Sequence, residues 1–305
     1  MRKGKKKISS GQRAAEWYQD MTDSLVTLIL DGQLTSWEKT WKATAADNMQ
    51  NPTTGTIYGG QNVMALWVSM MINGYEDPRW GTFSNIRSVN GCGVRKGERG
   101  TRIMFWQMIV KEDEKTGDEK AFFVSKIWTV FNYSQADGMP ERSEEERRST
   151  VTGDLDDVAS RYIEAEGIGI SFGGDLAFYN RASDRIRMPH KEDFASEQEF
   201  TSTLFHELAH STGHPKRLDR KFGGSFGDHD YSFEELVAEF TSVFVCSSLG
   251  VIEQGDDTYR NSAAYMKVWA QKLKQNPSWA AKAAQKAQKA CELILARANS
   301  SEAVA

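Results

Sequence analysis

The sequence predicts an α+β protein of two domains. We expect a mixed α/β N-terminal domain with an antiparallel β-hairpin, and a mostly helical C-terminal domain with a small sheet. With 305 residues, the chain is longer than the ~250 residues at which single hydrophobic cores stop growing. Two β-rich runs, 101–110 and 121–133, lie in the first half. Apolar residues at helical spacing dominate the second half.

Short patterns define the elements of the N-terminal half. Residues 9–30 have apolar positions at helical spacing, and Asp31-Gly32 supplies a stop. The stretch 37–60 is rich in Asn, Thr, Pro and Gly, so we expect a loop there, followed by a helix over 61–72. The two β-rich runs then form a hairpin whose long, charged turn spans 111–120.

A change of composition separates the two halves. Residues 137–157 combine Asp-Gly-Met-Pro with a run of charged residues, which is typical of a linker. We therefore expect an N-terminal domain at 1–136, a linker at 137–153 and a C-terminal domain at 154–305. In the C-terminal domain the patterns predict short strands at 176–179 and 185–188, and helices at 155–166, 196–212, 233–249, 258–274 and 278–298.

The composition is that of an ordinary soluble globular protein, with 39% hydrophobic and 26% charged residues. The three cysteines are far apart and form no CxxC pair, so we expect a reducing compartment and no cysteine zinc cluster. The basic N-terminus is not followed by an apolar segment, and no run approaches the ~18 apolar residues of a membrane span. We therefore expect a cytoplasmic protein with no membrane partner.

The clearest chemical signal is the segment His206-Glu207-Leu-Ala-His210. Residues four apart on a helix share one face at a separation of ~6 Å, so the two imidazoles can bind one zinc ion. Glu207 can take a proton from a zinc-bound water, whose pKa the metal lowers to about 7. The pattern predicts a metallopeptidase-type site with one Zn²⁺ per chain and Glu207 as catalytic base. Two histidines on a helix surface are the alternative for so short a motif.

A later helix supplies the third ligand. Glu235 and Glu239 are four residues apart and share a face with Ala238 and Ser242, small residues that allow helices to approach closely. We assign Glu235 to the metal and Glu239 to a hydrogen bond that orients a ligand histidine. Glu234 is expected to be a solvated carboxylate near the helix start, where the helix dipole favours it.

Two further residues are candidates for the same site. His214 is a rival third ligand if the chain folds back after Gly213, although Pro215 restricts its backbone. Tyr231 follows a glycine-rich loop that could line a cleft, and it is a candidate donor to an oxyanion.

The N-terminal half carries seven of the nine tryptophans, and basic residues interleave with several of them. Proteins that bind single-stranded nucleic acid stack bases on aromatic rings, at ~1–3 kcal/mol each, while Lys and Arg contact the phosphates. Residues 1–135 hold 18 Lys and Arg against 14 Asp and Glu. Burial in a core is the alternative, favoured for Trp67 and left open for the tryptophans in loops. The candidate DNA contacts are Trp37, Trp41, Arg79, Trp80, and the series Arg95, Lys96, Arg99 and Arg102 that leads into the strand bearing Trp106.

Nine segments, in order and over nearly the whole chain, resemble the ArdC-like antirestriction proteins of conjugative plasmids and phages. They include Asn51-Pro-Thr-Thr-Gly-Thr-Ile-Tyr58-Gly-Gly-Gln-Asn62, Arg79-Trp-Gly-Thr-Phe83 and His206-Glu-Leu-Ala-His-Ser-Thr-Gly-His214. The other segments span 37–41, 93–101, 131–135, 184–189, 217–220 and 234–239.

This resemblance implies an N-terminal domain that binds single-stranded DNA without sequence preference and a C-terminal zincin-like metallopeptidase domain. The implied role is to protect incoming DNA from host restriction, with an unidentified protein as the peptidase substrate. The metal falls on His206 and His210 with a carboxylate from Glu234-Glu235, and Tyr58 and Asn62 join the candidate DNA contacts. Two alternatives stay open: a DNA-binding protein whose zinc is purely structural, and an intracellular metallopeptidase that does not bind DNA.

Overall fold

The computed structural model describes residues 9–32, 49–112, 119–142, 155–221, 229–249 and 263–300, and the α+β class is confirmed. The predicted DNA contacts Trp37 and Trp41 lie outside the described residues, as do residues 113–118 of the predicted turn and 143–153 of the predicted linker.

The described chain opens with a long helix, α1 (Ser10–Leu30), close to the predicted bounds. A capping box starts it: the Gln12 N–H donates to the Ser9 hydroxyl, and the Ser9 N–H donates to the Gln12 side chain. One face of α1, which includes Trp17 and Leu25, is buried, and the helix ends at Asp31. The amphipathic pattern therefore identified both the helix and its inward face.

The stretch before the second helix is not entirely loop, so this part of the prediction is wrong. β1 (Gln50–Asn51) pairs antiparallel with β2 (Thr56–Ile57). The Asn51 side chain accepts the Thr53 N–H, an Asx-type contact that stabilises the tight turn between the strands. The second helix, α2, spans Gln61–Asn73.

The long hairpin of β5 (Thr101–Glu112) and β6 (Glu119–Asn132) dominates the N-terminal half. β3 (Trp80–Gly81) pairs with the far end of β6, which gives the strand order β3-β6-β5. The sequence predicted the hairpin but not the short elements around it. These are α3 (Phe83–Ser88), β4 (Gly93–Val94) and β7 (Ala136–Asp137), of which β4 pairs with β7.

The C-terminal half is mostly helical around one small sheet. The central strand of that sheet is β10 (Arg185–Met188), which runs parallel to β8 (Gly169–Phe172) and antiparallel to β9 (Phe178–Asn180). The strand β8 was not predicted, because glycines flank and interrupt its short apolar alternation of Ile168, Ile170 and Phe172. The elements are α4 (Leu155–Glu166), β8 (Gly169–Phe172), β9 (Phe178–Asn180), β10 (Arg185–Met188), α5 (Glu197–Thr212), α6 (His229–Ser248), α7 (Ala263–Gln275) and α8 (Trp279–Ser300).

The two halves of the chain share one hydrophobic core. α1 packs on α7, α2 packs on α8, and buried residues of both halves form one continuous cluster. The Thr22 hydroxyl donates to the Pro277 carbonyl oxygen across this boundary at 2.6 Å. At the start of α2, a side chain on Gly60 would bring its Cβ to 3.1 Å from the Gln285 Cα of α8. Glycine at this position therefore allows the two helices to meet.

Candidate metal centre

The motif helix α5 is built into the core rather than laid on the surface. Its N-terminus is capped by the Ser196 hydroxyl, which accepts the Glu199 N–H. Phe205, Leu208 and Ala209 are completely buried. The alternative of two histidines on a helix surface is therefore wrong, because the whole segment 205–210 is buried.

Three side chains from α5 and α6 converge. The Nε2 atoms of His206 and His210 lie 3.1 Å apart. The Glu235 carboxylate lies 3.5 Å from the first of these atoms and 3.4 Å from the second. In a tetrahedral zinc site with bonds of about 2.0–2.1 Å, neighbouring ligand atoms are about 3.4 Å apart. The three side chains therefore fit one ion, and they form a potential metal-binding group within the described residues.

The other ring nitrogen of each histidine faces a second carboxylate. His206 Nδ1 lies 3.7 Å from Glu239 Oε1, and His210 Nδ1 lies 3.5 Å from Glu234 Oε1. Carboxylates in this position orient metal-bound imidazoles and raise their basicity. Glu239 lies beside His206, but 3.7 Å is longer than the predicted hydrogen bond, so its orienting role stays a prediction. The prediction that Glu234 is solvated is wrong, since its exposed fraction is 4%.

Glu234 is buried because Arg220 neutralises it. The Arg220 Nε atom donates to both carboxylate oxygens of Glu234 at 3.2 and 3.0 Å, and Nη2 donates to Oε1 at 2.6 Å. Arg220 also donates to the Thr212 hydroxyl and to the Ala209 carbonyl oxygen, both on the motif helix. This buried arginine therefore connects Glu234 to the end of α5. Sequence reasoning did not assign Arg220 a role, although it ends the 217–220 segment.

The carboxylates around the two histidines favour positive charge at this place. Burial raises the pKa of Glu235, but His206 and His210 lower it by more, so the pKa of this carboxyl lies well below its usual range. Burial also raises the pKa of Glu234, while His210 and Arg220 lower it by more. Burial lowers the pKa of His210, but Glu234 and Glu235 outweigh this and raise it to about 10. A divalent cation satisfies the same carboxylates.

The remaining predicted residues lie at different distances from the metal ligands. His214 is turned away, and its Nδ1 lies 3.8 Å from an oxygen of Asp184. The structure therefore does not bring this rival ligand to the other two histidines. Glu207 is buried beside His206. Tyr231 is half-buried one helical turn before Glu235, on the same side of α6. The roles of Glu207 and Tyr231 stay predictions.

Four of the predicted DNA contacts are buried, so the prediction that they present their side chains to DNA is wrong. The Arg79 guanidinium binds Asp77 and the Pro140 carbonyl oxygen, and the ring of Trp80 is fully enclosed. The Asn62 side-chain oxygen accepts the Met104 N–H of the edge strand β5. Tyr58 is 6% exposed. Each of these side chains completes the core, which a loop-like sequence pattern did not reveal.

The other described candidates are exposed. Arg95, Lys96, Arg99 and Arg102 are all accessible to solvent. Arg95 pairs with Glu98 at 2.8 Å, and Arg102 pairs with Asp20. Trp106 and Trp128 were not predicted as contacts, yet their side chains on the hairpin are 45% and 43% exposed. The signal was present, because strands 101–110 and 121–133 carry apolar residues on both faces rather than alternating with polar ones.

Comparisons with known proteins cover both halves of the chain. Residues 15–152 match the family model described as the N-terminal domain of anti-restriction factor ArdC, and residues 157–286 match a zincin-like metallopeptidase model. The chain is similar to crystal structures of the antirestriction protein ArdC from plasmid R388. The metal-free form has a TM-score of 0.72 at 35% identity and covers 93% of this chain and 98% of that one. The Mn(II)-bound form has a TM-score of 0.70 at 34% identity and covers 92% of this chain and 97% of that one.

Two curated relatives match most of this chain but differ in how much of their own length the match covers. The DNA primase TraC of Escherichia coli is 33% identical over 92% of this chain, but the match spans only 27% of that protein. An uncharacterized protein of Sinorhizobium fredii, y4eC, is 28% identical over 95% of both chains. Among the described residues, no helix combines the length and the apolar character needed to cross a membrane.

Proposed function

Because the chain belongs to the ArdC family of antirestriction proteins, with a zincin-like domain in its C-terminal half, we propose that it protects incoming plasmid or phage DNA from host restriction. In this proposal the N-terminal half binds single-stranded DNA without sequence preference, and the C-terminal half is a zinc metallopeptidase. The protein acts in the cytoplasm, where the DNA arrives, and its peptidase substrate is a protein.

The observation that carries the peptidase proposal is the convergence of two imidazole Nε2 atoms and one carboxylate at 3.1–3.5 Å. Catalytic zinc sites have three protein ligands, whereas structural sites have four. The donor set of His206, His210 and Glu235 is the set found in metallopeptidases. This count favours the catalytic alternative over a purely structural zinc.

The residues around the proposed ion have separate roles in peptide hydrolysis. When bound, zinc supplies Lewis acidity, which makes water more acidic and polarises a peptide carbonyl. Glu207 is the base: its carboxylate takes the proton from water and delivers it to the leaving amine. Glu239 holds the His206 imidazole in position, and Glu234 holds the His210 imidazole, in each case through the Nδ1 atom of the ring. Tyr231 donates a hydrogen bond to the oxyanion that develops on the carbonyl oxygen.

Support for DNA binding comes from the surface of the N-terminal half. Arg95, Lys96, Arg99 and Arg102 are exposed, and aromatic side chains of the neighbouring hairpin are exposed with them. Cations beside accessible rings are the combination that single-stranded nucleic acid requires. A metallopeptidase without DNA binding would have little use for so much accessible aromatic surface.

A transfer assay tests the whole proposal. Unmodified plasmid DNA is introduced by conjugation into a restricting host and into an isogenic non-restricting host, with and without expression of this chain. We expect the chain to raise recovery in the restricting host only. Equal recovery with and without the chain would contradict the antirestriction role. The Glu207→Gln variant in the same assay separates a function that needs peptidase chemistry from one that needs only DNA binding.

A further inference from the structure

The β5–β6 hairpin exposes an unusually large amount of apolar surface. In the parts of the chain that the structure describes, seven large apolar side chains of this hairpin are between 40% and 69% exposed. Exposed apolar surface of this extent marks an interaction site rather than ordinary surface. The seven side chains are Phe105, Trp106, Met108, Val110, Phe122, Phe123 and Trp128.

The strand register divides these side chains between the two faces of the hairpin. Phe105 lies opposite Lys126, and Trp128 follows Lys126 by two residues. Residues directly opposite each other, and residues two apart on one strand, share a face. Phe105, Lys126 and Trp128 therefore form one patch, which we call the stacking patch. Within it, the Lys126 ammonium nitrogen lies 4.8 Å from the centre of the Trp128 ring.

The opposite face of the hairpin is in contact with the body of the protein. Ser125 alternates with the stacking patch and therefore points to the other side, where its hydroxyl donates to the Ser10 carbonyl oxygen of α1 at 2.7 Å. Phe123 is on this same opposite face, further from the body, and is 69% exposed. α1 thus covers the base of one face. On the other face Ile103 and Val130 are buried at the base, and the stacking patch lies next to them.

Basic residues gather at the end of the hairpin where the stacking patch lies. Gly100 packs directly against Thr129 and the backbone oxygen of Val130, which brings the loop carrying Lys96 and Arg99 to the end of β6 next to Trp128. Phosphates are therefore attracted to the base of the hairpin.

We propose that the stacking patch is the surface on which this chain binds single-stranded DNA. Bases stack on the rings of Trp128 and Phe105, while Lys126 and the basic loop contact the phosphates. The DNA strand crosses the base of the hairpin. This inference rests on the proposed function, single-stranded DNA binding by the N-terminal half, and gives that function a location.

Fluorescence anisotropy with labelled oligo(dT) and the full-length chain tests this location. Stacking contributes ~1–3 kcal/mol per base, so Trp128→Ala and Phe105→Ala should each weaken binding about 5- to 150-fold. Trp128→Phe, which keeps an aromatic ring, should restore most of the affinity. Lys126→Gln should reduce the slope of log affinity against log salt by about one. Phe123→Ala, on the opposite face, is the matched control and should bind as wild type does.

The outcomes separate the location from the function. If the wild-type chain binds oligo(dT) and the stacking-patch variants bind it equally well, the location is wrong and DNA binding stands. If the wild-type chain shows no salt-sensitive binding, both are wrong. A wild-type dimer in sedimentation velocity that Trp128→Ala makes monomeric, with unchanged DNA affinity, would assign the patch to a second copy and overturn the proposal. Lys126→Gln keeps the test valid if a ring variant fails to fold, since that side chain is not part of the core.

Discussion

The metal centre and the β5–β6 hairpin expose their functional groups in opposite ways. At the metal centre, His206, His210, Glu234 and Glu239 are less than 10% exposed, and each imidazole faces a carboxylate. On the hairpin, large apolar rings are up to 69% exposed. A buried polar cluster needs a partner of opposite charge, whereas exposed rings need a partner that can cover them. The first arrangement fits a cation, and the second fits nucleobases.

The largest effect should come from Glu207→Gln. The amide cannot accept a proton, and loss of a general base lowers turnover about 10²- to 10⁴-fold. Cleavage of an unstructured protein substrate measures this loss, and metal analysis should show unchanged zinc. Glu197→Gln, an exposed change on the same helix α5, is the control. A Glu207→Gln protein that cleaves at the wild-type rate would remove Glu207 from the chemistry, and a wild type without activity would favour structural zinc.

Arg220→Leu should be the next most damaging change. It leaves the Glu234 carboxylate buried beside Glu235 without its cation, and breaking a buried pair costs about 3–5 kcal/mol. Loss of support for a ligand imidazole should also weaken zinc binding about 10- to 100-fold. Thermal unfolding and competition with a chromophoric chelator measure these two effects.

Two further variants serve as comparisons for Arg220→Leu. Arg220→Lys keeps the charge but not the forked geometry and should fall between wild type and Arg220→Leu. Arg161→Gln removes a surface pair with Asp157 and should change little, since such pairs contribute about 0–1 kcal/mol. Wild-type zinc affinity in Arg220→Leu would show that Glu234 does not position His210.

The sequence predicted which side chains lie together at the metal centre because helical periodicity is local information. The spacing of His206 and His210, and that of Glu235 and Glu239, determines which side chains share a face whatever the rest of the fold does. It failed for Glu234, because the residue that buries it, Arg220, comes from a segment between the two helices. No periodicity within α6 indicates that such a partner exists.

Sequence reasoning was weaker in the N-terminal half, where function depends on which rings are covered. Trp80 and Trp128 both lie in stretches that mix aromatic and polar residues, yet one is fully buried and the other is 43% exposed. The difference arises from tertiary packing: Trp80 lies on a two-residue strand against Tyr75, and Trp128 lies on a long hairpin. Composition alone does not separate these environments.

Gly60→Ala should show that the two halves are joined as one folding unit. Both Gly60 and Gly55 have positive φ, of 55° and 68°, so alanine strains the backbone by about 1 kcal/mol at either position. Only at Gly60 does the added Cβ also meet another helix, at Gln285. The midpoint of urea unfolding should therefore fall further for Gly60→Ala than for Gly55→Ala. Equal shifts would show that contact between α2 and α8 contributes nothing to stability.

The smallest effect should come from Phe123→Ser on the hairpin. Because this ring is largely exposed, its loss should change the free energy of unfolding by no more than about 0.5 kcal/mol. The contrast is Phe205→Ala, next to His206 in the core, which should cost about 3–5 kcal/mol. Urea unfolding monitored by circular dichroism measures both. A large loss of stability in Phe123→Ser would mean that the hairpin surface is structural.

Zinc analysis of two adjacent glutamate variants tests the central claim most directly. The protein is purified, dialysed against zinc and then against metal-free buffer, and its metal content is measured by mass spectrometry. We expect about one zinc per chain in the wild type and in Glu234→Gln, and loss of most of that zinc in Glu235→Ala. Full zinc in Glu235→Ala, or complete loss in Glu234→Gln with Glu235 intact, would contradict the assignment of His206, His210 and Glu235 as the metal ligands.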